Sequence, residues 1–232
     1  ILYKVKDNKS KKKSRTKEKQ IVEQEIAESI MGDHKNPNPL KRLIKVKQFP
    51  WTDKQKEFFK VALNPSTRIV FVDGPAGTSK TLLATYCGLQ LLNMHAASDI
   101  CYLRSAVESS DSHLGFLPGS ADDKLRFYNL PFLDKLDELL IATKAEKLEQ
   151  DQRISMFPVN FARGMNWTSK CVILDEAQNS TKKEIITVLT RLGEGSRCFV
   201  LADPMQTDLR NESVQGGFEN LYKTFWNYHL FI

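Results

Sequence analysis

The sequence predicts an α/β domain in which a parallel sheet is flanked by helices. Three observations carry that expectation. Short, continuous apolar runs alternate with helical segments, as in a sheet covered on both faces. A glycine-bearing loop joins the first of these runs to a helix. Polar signatures follow directly after the ends of the runs, where ligands of parallel sheets sit.

Taken in order, the chain opens on a basic arm. Residues 1–20 hold nine Lys and Arg against Asp7 and Glu18, a net +7, so the remaining 212 residues sum to about −1 of the overall +6. Such an arm suits a salt-dependent nucleic-acid tether, and equally a solvated terminus. Glu18 to Met31 places Ile21, Val22, Ile26 and Ile30 at helical spacing, and Gly32 to Pro39, with Asn36-Pro37-Asn38-Pro39, reads as a linker. Residues 1–39 are therefore expected to be an extension, and 40–232 the main domain. Strands are expected at Ile69–Asp73, Ile100–Arg104, Ile154–Val159, Cys171–Asp175 and Cys198–Ala202. Helices are expected at Lys80–Met94, Phe132–Leu148 and Lys182–Leu192. No apolar run approaches the ~18 residues of a membrane span, and no signal peptide is visible, which points to a soluble cytoplasmic protein. The first residue is Ile1 and the last five are Tyr228-His229-Leu230-Phe231-Ile232, so both ends read as cut points. The four cysteines, Cys87, Cys101, Cys171 and Cys198, lack metal-ligand spacing and read as reduced core thiols.

The joining loop is Gly74-Pro75-Ala76-Gly77-Thr78-Ser79-Lys80-Thr81. Strand, loop, Lys-Thr and helix in that order make a phosphate-binding loop. Its amides would wrap a phosphate chain, assisted by the partial positive charge of the helix N-terminus. Lys80 would reach the β- and γ-phosphates, and the Thr81 hydroxyl would complete a Mg²⁺ shell. The usual pattern has Gly directly before the Lys. Ser79 in that place is comfortable with helical backbone angles and strained by a positive φ.

Two further signatures follow strands. Cys171-Val172-Ile173-Leu174 ends in Asp175-Glu176, where Asp175 would hold Mg²⁺ and Glu176 would polarise an attacking water. Thr181 and Glu184 make a capping box for the next helix and need no catalytic role. Leu201-Ala202 leads into Asp203-Pro204-Met205-Gln206, where Gln206 would sense a γ-phosphate and Asp203 would position it.

Together these motifs resemble the PhoH-like family. Ile100-Cys101-Tyr102-Leu103-Arg104-Ser105-Ala106-Val107, Gly115-Phe116-Leu117-Pro118-Gly119, Phe161-Ala162-Arg163-Gly164, Asp175-Glu176-Ala177-Gln178-Asn179 and Leu189-Thr190-Arg191-Leu192-Gly193 extend the resemblance over roughly residues 50 to 220. Ser79 is similar to the version found in phage-encoded members. The resemblance implies a RecA-like fold related to superfamily 1 helicases. It implies ATP and Mg²⁺ as cofactors and Gln55 in contact with adenine, although Thr52 and Gln55 also form a capping box by themselves. It also implies Arg104 and Arg191 as partners of phosphate or of a neighbouring subunit's site.

The expected function is Mg²⁺-dependent ATP hydrolysis coupled to remodelling of RNA or single-stranded nucleic acid in the cytoplasm, the host's for a phage protein. A single RecA-like lobe is expected either to assemble as a homo-oligomer, with a hexameric ring as one form, or to couple to a partner domain. Ser105–Arg126, with His113, Phe116 and Phe127, would line a strand-binding surface or pack on the core. Two rivals remain open. One is an ATP-gated assembly module without unwinding; the other is a small-molecule kinase, disfavoured because Asp175-Glu176 and Gln206 position water rather than an acceptor hydroxyl.

Overall fold

In the computed structural model, residues 40, 42–104, 121–203, 205, 206, 217, 218 and 221 are described, the side chains of 121–128 excepted. The chain divides into two compact units, one of residues 36–107 and 128–232 and another of residues 1–35 and 108–127. The basic arm, the 18–31 helix and the 32–39 linker expected above lie outside the described residues.

Among its described residues the first unit holds a five-stranded parallel sheet. Its strands are β1 (Ile69–Asp73), β2 (Asp99–Arg104), β3 (Ile154–Pro158), β4 (Lys170–Asp175) and β5 (Arg197–Ala202), in spatial order β1-β5-β4-β2-β3. Among the described residues the helices are α1 (Asp53–Ala62), α2 (Lys80–Asn93), α3 (Ala121–Leu139), α4 (Ala145–Gln150) and α5 (Lys182–Leu189). Strands β4 and β5 are buried along their whole length, which explains their unbroken apolar runs. The register pairs Asp73 with Ala202 and Arg104 with both Asp175 and Pro158, so the strand ends are nearly flush.

Helix α2 buries residues on every side, including Leu83, Leu89, Leu91 and Leu92. Each such leucine contributes roughly 1.5–3 kcal/mol by leaving water. Where a Cβ would stand on Gly88, the Ile100 Cδ1 lies 2.9 Å away, so glycine permits the close approach of α2 to β2. The outer side of α2 is covered by the segment before α1. Asn93 clips that segment through both amide atoms, accepting from Ile44 N–H at 2.7 Å and donating to Ile44 O at 2.9 Å. Trp51 then packs against Phe59 and Tyr86, each with ring centroids 5.0 Å away.

The strands begin and end within one residue of expectation; Val159 opens a 3-10 turn instead of closing β3. The helices differ more. The expected Phe132–Leu148 helix is two helices, because Leu140 leaves the first to bridge Val46 and Leu139 O accepts from Lys47 N–H at 2.8 Å. In the other direction, Pro131 does not begin α3 but lies inside it. Its cost is offset by the burial of Phe132, Leu136 and Leu139. Helix α5 stops at Leu189, short of Leu192, which bridges Trp167.

The cysteines are free and buried, three in strands and Cys87 in α2. Burial pushes the Cys101 thiol up to about 12 and raises those of Cys87, Cys171 and Cys198. Thiols held so far from ionisation are poor nucleophiles. The native chain is therefore expected to resist a thiol-specific disulfide reagent at pH 8, whereas all four cysteines react after denaturation. Prompt reaction of any of them in the native protein contradicts this packing.

Candidate nucleotide site

The phosphate loop leaves β1 and enters α2, with Gly77 at φ 80° and Ser79 at φ 64°, ψ 23°. No heavy atom lies within 4 Å of a Cβ built on Gly77, so backbone angle and not space demands glycine there. Ser79 takes the strained alternative, a left-handed conformation at a residue with a Cβ. Within the loop, Lys80 Nζ donates to Gly74 O at 2.6 Å and Pro75 O at 2.9 Å. Thr78 Oγ1 donates to Pro75 O at 2.8 Å.

Strand β4 delivers the carboxylates. The Thr81 hydroxyl lies 3.1 Å from Asp175 Oδ2 and 3.3 Å from Oδ1. The Tyr102 hydroxyl donates to Oδ2 at 2.8 Å, and the Glu176 amide donates to Oδ1 at 3.0 Å. Burial first, then the Asp175 charge, pushes the Tyr102 phenol well above its ordinary range, so it stays a donor. Glu176 follows in a left-handed conformation, φ 54° and ψ 39°, which turns the chain out of the strand.

Gln178 joins the acidic motif to the next strand. Its Nε2 donates to Glu176 Oε2 at 2.6 Å, and its Oε1 accepts from the Asp203 amide at 3.0 Å. Asp203 in turn shapes the segment after β5. Its Oδ1 accepts from Met205 N–H at 3.1 Å and its carbonyl from Gln206 N–H at 3.0 Å. This is a side-chain-stabilised turn of the kind aspartate favours.

These groups surround a cavity of about 300 Å³. Ala76, Gly77, Ser79, Lys80 and Thr81 line it from the loop, Asp175 and Glu176 from β4, and Gln206 from the turn after β5. Gly74, Pro75 and Thr78 shape the loop through the bonds to Lys80 and Thr78. Arg104 comes within 3.9 Å of Glu176 Oε1. Gln55 is not among the lining residues: its amide and Oε1 are engaged with Thr52 in the capping box, at 3.3 and 3.0 Å. Arg191 is exposed at the end of α5 and does not line the cavity either. The corresponding box of Thr181 and Glu184 caps α5. His113 and Phe116 lie outside the described residues, as do Pro204 and the side chain of Phe127.

Three contributors were not assigned roles from sequence. Tyr102 reads there as a core strand residue. Lys135, which lines the cavity from α3 while paired with Glu138 at 2.8 Å, has no motif around it. Gln178 stands inside the acidic motif, two residues after Glu176, and that adjacency is the one signal that could have found it.

The donor set fits a magnesium nucleotide. Asp175 and Thr81 offer hard oxygens, and Mg²⁺ takes one or two such protein ligands beside waters and phosphates. Among the described residues no three His, Cys, Asp or Glu side chains gather as a self-sufficient metal site. Lys80 and the first amides of α2 supply the positive side that a phosphate chain requires.

Residues 47–230 match the protein family described as PhoH-like protein. A PhoH-like protein of Synechocystis sp. is 37% identical over 165 residues, 71% of this chain and 49% of that protein. A PhoH-like protein of Bacillus subtilis is 37% identical over 187 residues, 81% of this chain and 56% of that protein. Protein PhoH2 of Bacillus subtilis is 32% identical over 179 residues, 73% and 40% of the two chains. The chain thus spans about half the length of the curated relatives it matches. No helix among the described residues is long and apolar enough to cross a membrane.

The left-handed Ser79 yields a direct prediction. Ser79→Gly removes a Cβ penalty of about 1 kcal/mol, part of it returned as unfolded-chain entropy. The thermal midpoint is expected to rise by up to about 2–4 °C. A lower midpoint in calorimetry contradicts a positive φ at this position.

Proposed function

The chain belongs to the PhoH-like family, and from that premise we propose that it is a Mg²⁺-dependent ATPase whose turnover is coupled to RNA or single-stranded nucleic acid. The family is generally one of phosphate-loop ATPases, and the nucleotide-binding class follows from it. One observation carries the finer reading. The Thr81 hydroxyl meets the Asp175 carboxylate on the cavity wall that also presents Lys80 and Glu176.

In this reading Lys80 leaves the Gly74 and Pro75 carbonyls to bind β- and γ-phosphate oxygens. Thr81 and Asp175 hold the metal, which when bound neutralises charge developing on the phosphates. Glu176 accepts a proton from the attacking water and is kept in place by Gln178. Gln206, on a turn fixed by Asp203, lies beside the same cavity and holds that water or the γ-phosphate. Arg104, near Glu176, responds to phosphate charge from the adjoining strand. Arg191 is exposed and does not line its own chain's cavity, which suits action on a second copy in a homo-oligomeric ring. Nucleic acid as partner rests on the family resemblance and the basic arm.

The test is phosphate release from Mg·ATP with and without single-stranded RNA. Lys80→Ala is expected to lower it by roughly 10²-fold or more. RNA is expected to raise the wild-type rate several-fold. Lys80-dependent release indifferent to RNA would overturn the nucleic-acid coupling and leave an ATP-gated assembly module. Gln178→Ala is expected to reduce kcat by roughly tenfold or more with KM nearly unchanged, since the Gln178 amide, although it lines the cavity, bonds the base and the Asp203 amide. A rise in KM alone would argue that Gln178 serves binding.

A further inference from the structure

Tyr102 is fully buried, yet it carries a hydroxyl. A phenylalanine would fill the same volume without needing a partner, and a buried hydroxyl without one is costly. The partner here is Asp175 Oδ2, at 2.8 Å. The contact follows from register. Tyr102 pairs with Ile173 across β2 and β4, and Arg104 pairs with Asp175, so Tyr102 lies two rungs before Asp175 on the same face. A long aromatic side chain spans that diagonal. Its ring is held in turn by Phe132 of α3, also fully buried and stacked on it at 4.5 Å with an interplanar angle of 9°.

We propose that Tyr102 is a positioning residue for the metal-binding carboxylate: its hydroxyl, braced by the Phe132 stack, fixes the orientation in which Asp175 faces Thr81. The inference rests on the reading of Asp175 as a metal ligand. Asp175 accepts from donors on two sides, Tyr102 on Oδ2 and the Glu176 amide on Oδ1. With both in place the carboxylate plane cannot turn about its last bond. Without Tyr102, only the Thr81 hydroxyl remains against Oδ2, and Thr81 is itself a metal ligand in this reading. Partners of ligating carboxylates commonly affect metal affinity by 10- to 100-fold, about the size expected here.

The experiment is Mn²⁺ binding to the full chain in the presence of ADP, followed by electron paramagnetic resonance of the free ion, with no turnover involved. Tyr102→Phe keeps the stack and removes one oxygen. It is expected to raise the Mn²⁺ dissociation constant about tenfold while the thermal midpoint of the ligand-free protein stays close to wild type. Phe132→Leu loosens the brace and is expected to weaken binding less, with no added effect in the Tyr102→Phe background. Wild-type affinity in folded Tyr102→Phe overturns the proposal while leaving the metal site standing. An equal loss from Phe132→Leu in both backgrounds also overturns it, because packing rather than the hydroxyl would then set affinity. Absence of nucleotide-dependent Mn²⁺ binding in the wild-type protein overturns both this inference and the assignment of Asp175.

Discussion

The site depends on holding the Asp175 carboxylate, only 6% exposed, at the end of a fully buried strand. A charge so placed costs several kcal/mol unless hydrogen bonds replace water. Its donors come from three parts of the chain: Thr81 at the start of α2, Tyr102 on β2, and the amide of Glu176. The Glu176 amide is adjacent in the chain, but Thr81 and Tyr102 come near Asp175 only when α2 lies against the sheet and the β2–β4 ladder is in register. A one-residue slip would turn every side chain of a strand to the opposite face. The same ladder is pinned at its other end, where buried Lys170 meets both oxygens of Asp99 at 2.7 Å. Removing one member of such a pair leaves an uncompensated buried charge, so the pair acts against register errors more than as a source of net stability.

The position of β5 has a chemical consequence. It lies between β1, which feeds the phosphate loop, and β4, which feeds the carboxylates. The turn leaving β5 therefore emerges between the two halves of the cavity, which is why Gln206 lines it. Gln178 ties that turn to the acidic motif by accepting from the Asp203 amide while donating to Glu176. The base and the turn carrying Gln206 thus share one side-chain amide, and neither can shift far without disturbing the other.

Much of this was legible in the sequence because its parts are local. Continuous apolar runs mark buried parallel strands, and loop chemistry marks their ends, so the strand limits and the residues after them could be read directly. Helix limits were less legible where distant contacts decide them. Leu140 leaves its helix for Val46, and Leu192 passes beyond α5 to Trp167; nothing beside either residue announces the partner. The same holds within the site. Tyr102 looks like any aromatic in a strand until the fold brings Asp175 to its hydroxyl, and Lys135 becomes a cavity residue only once α3 has packed. Gln55 is the opposite case, a local capping signal that the structure realises in full and that occupies the side chain.

Ser79 shows how the loop is built. Gly77 and Ser79 both have positive φ, on either side of Thr78, in the stretch whose amides would face a phosphate chain. Glycine adopts such angles freely in the unfolded chain as well and must lose that freedom on folding. Serine loses less freedom but carries strain in the folded state. The strain is tolerated because neighbours on both sides are fixed. Lys80 begins a helix buried on all sides, and its ammonium bonds Gly74 and Pro75 at the loop's other end. A phosphate that drew Lys80 away would replace those two carbonyl contacts with charged ones while the helix still held Ser79. The loop can exchange the partner of its lysine without rebuilding its backbone, and that requires the anchoring to come from α2 and not from the lysine.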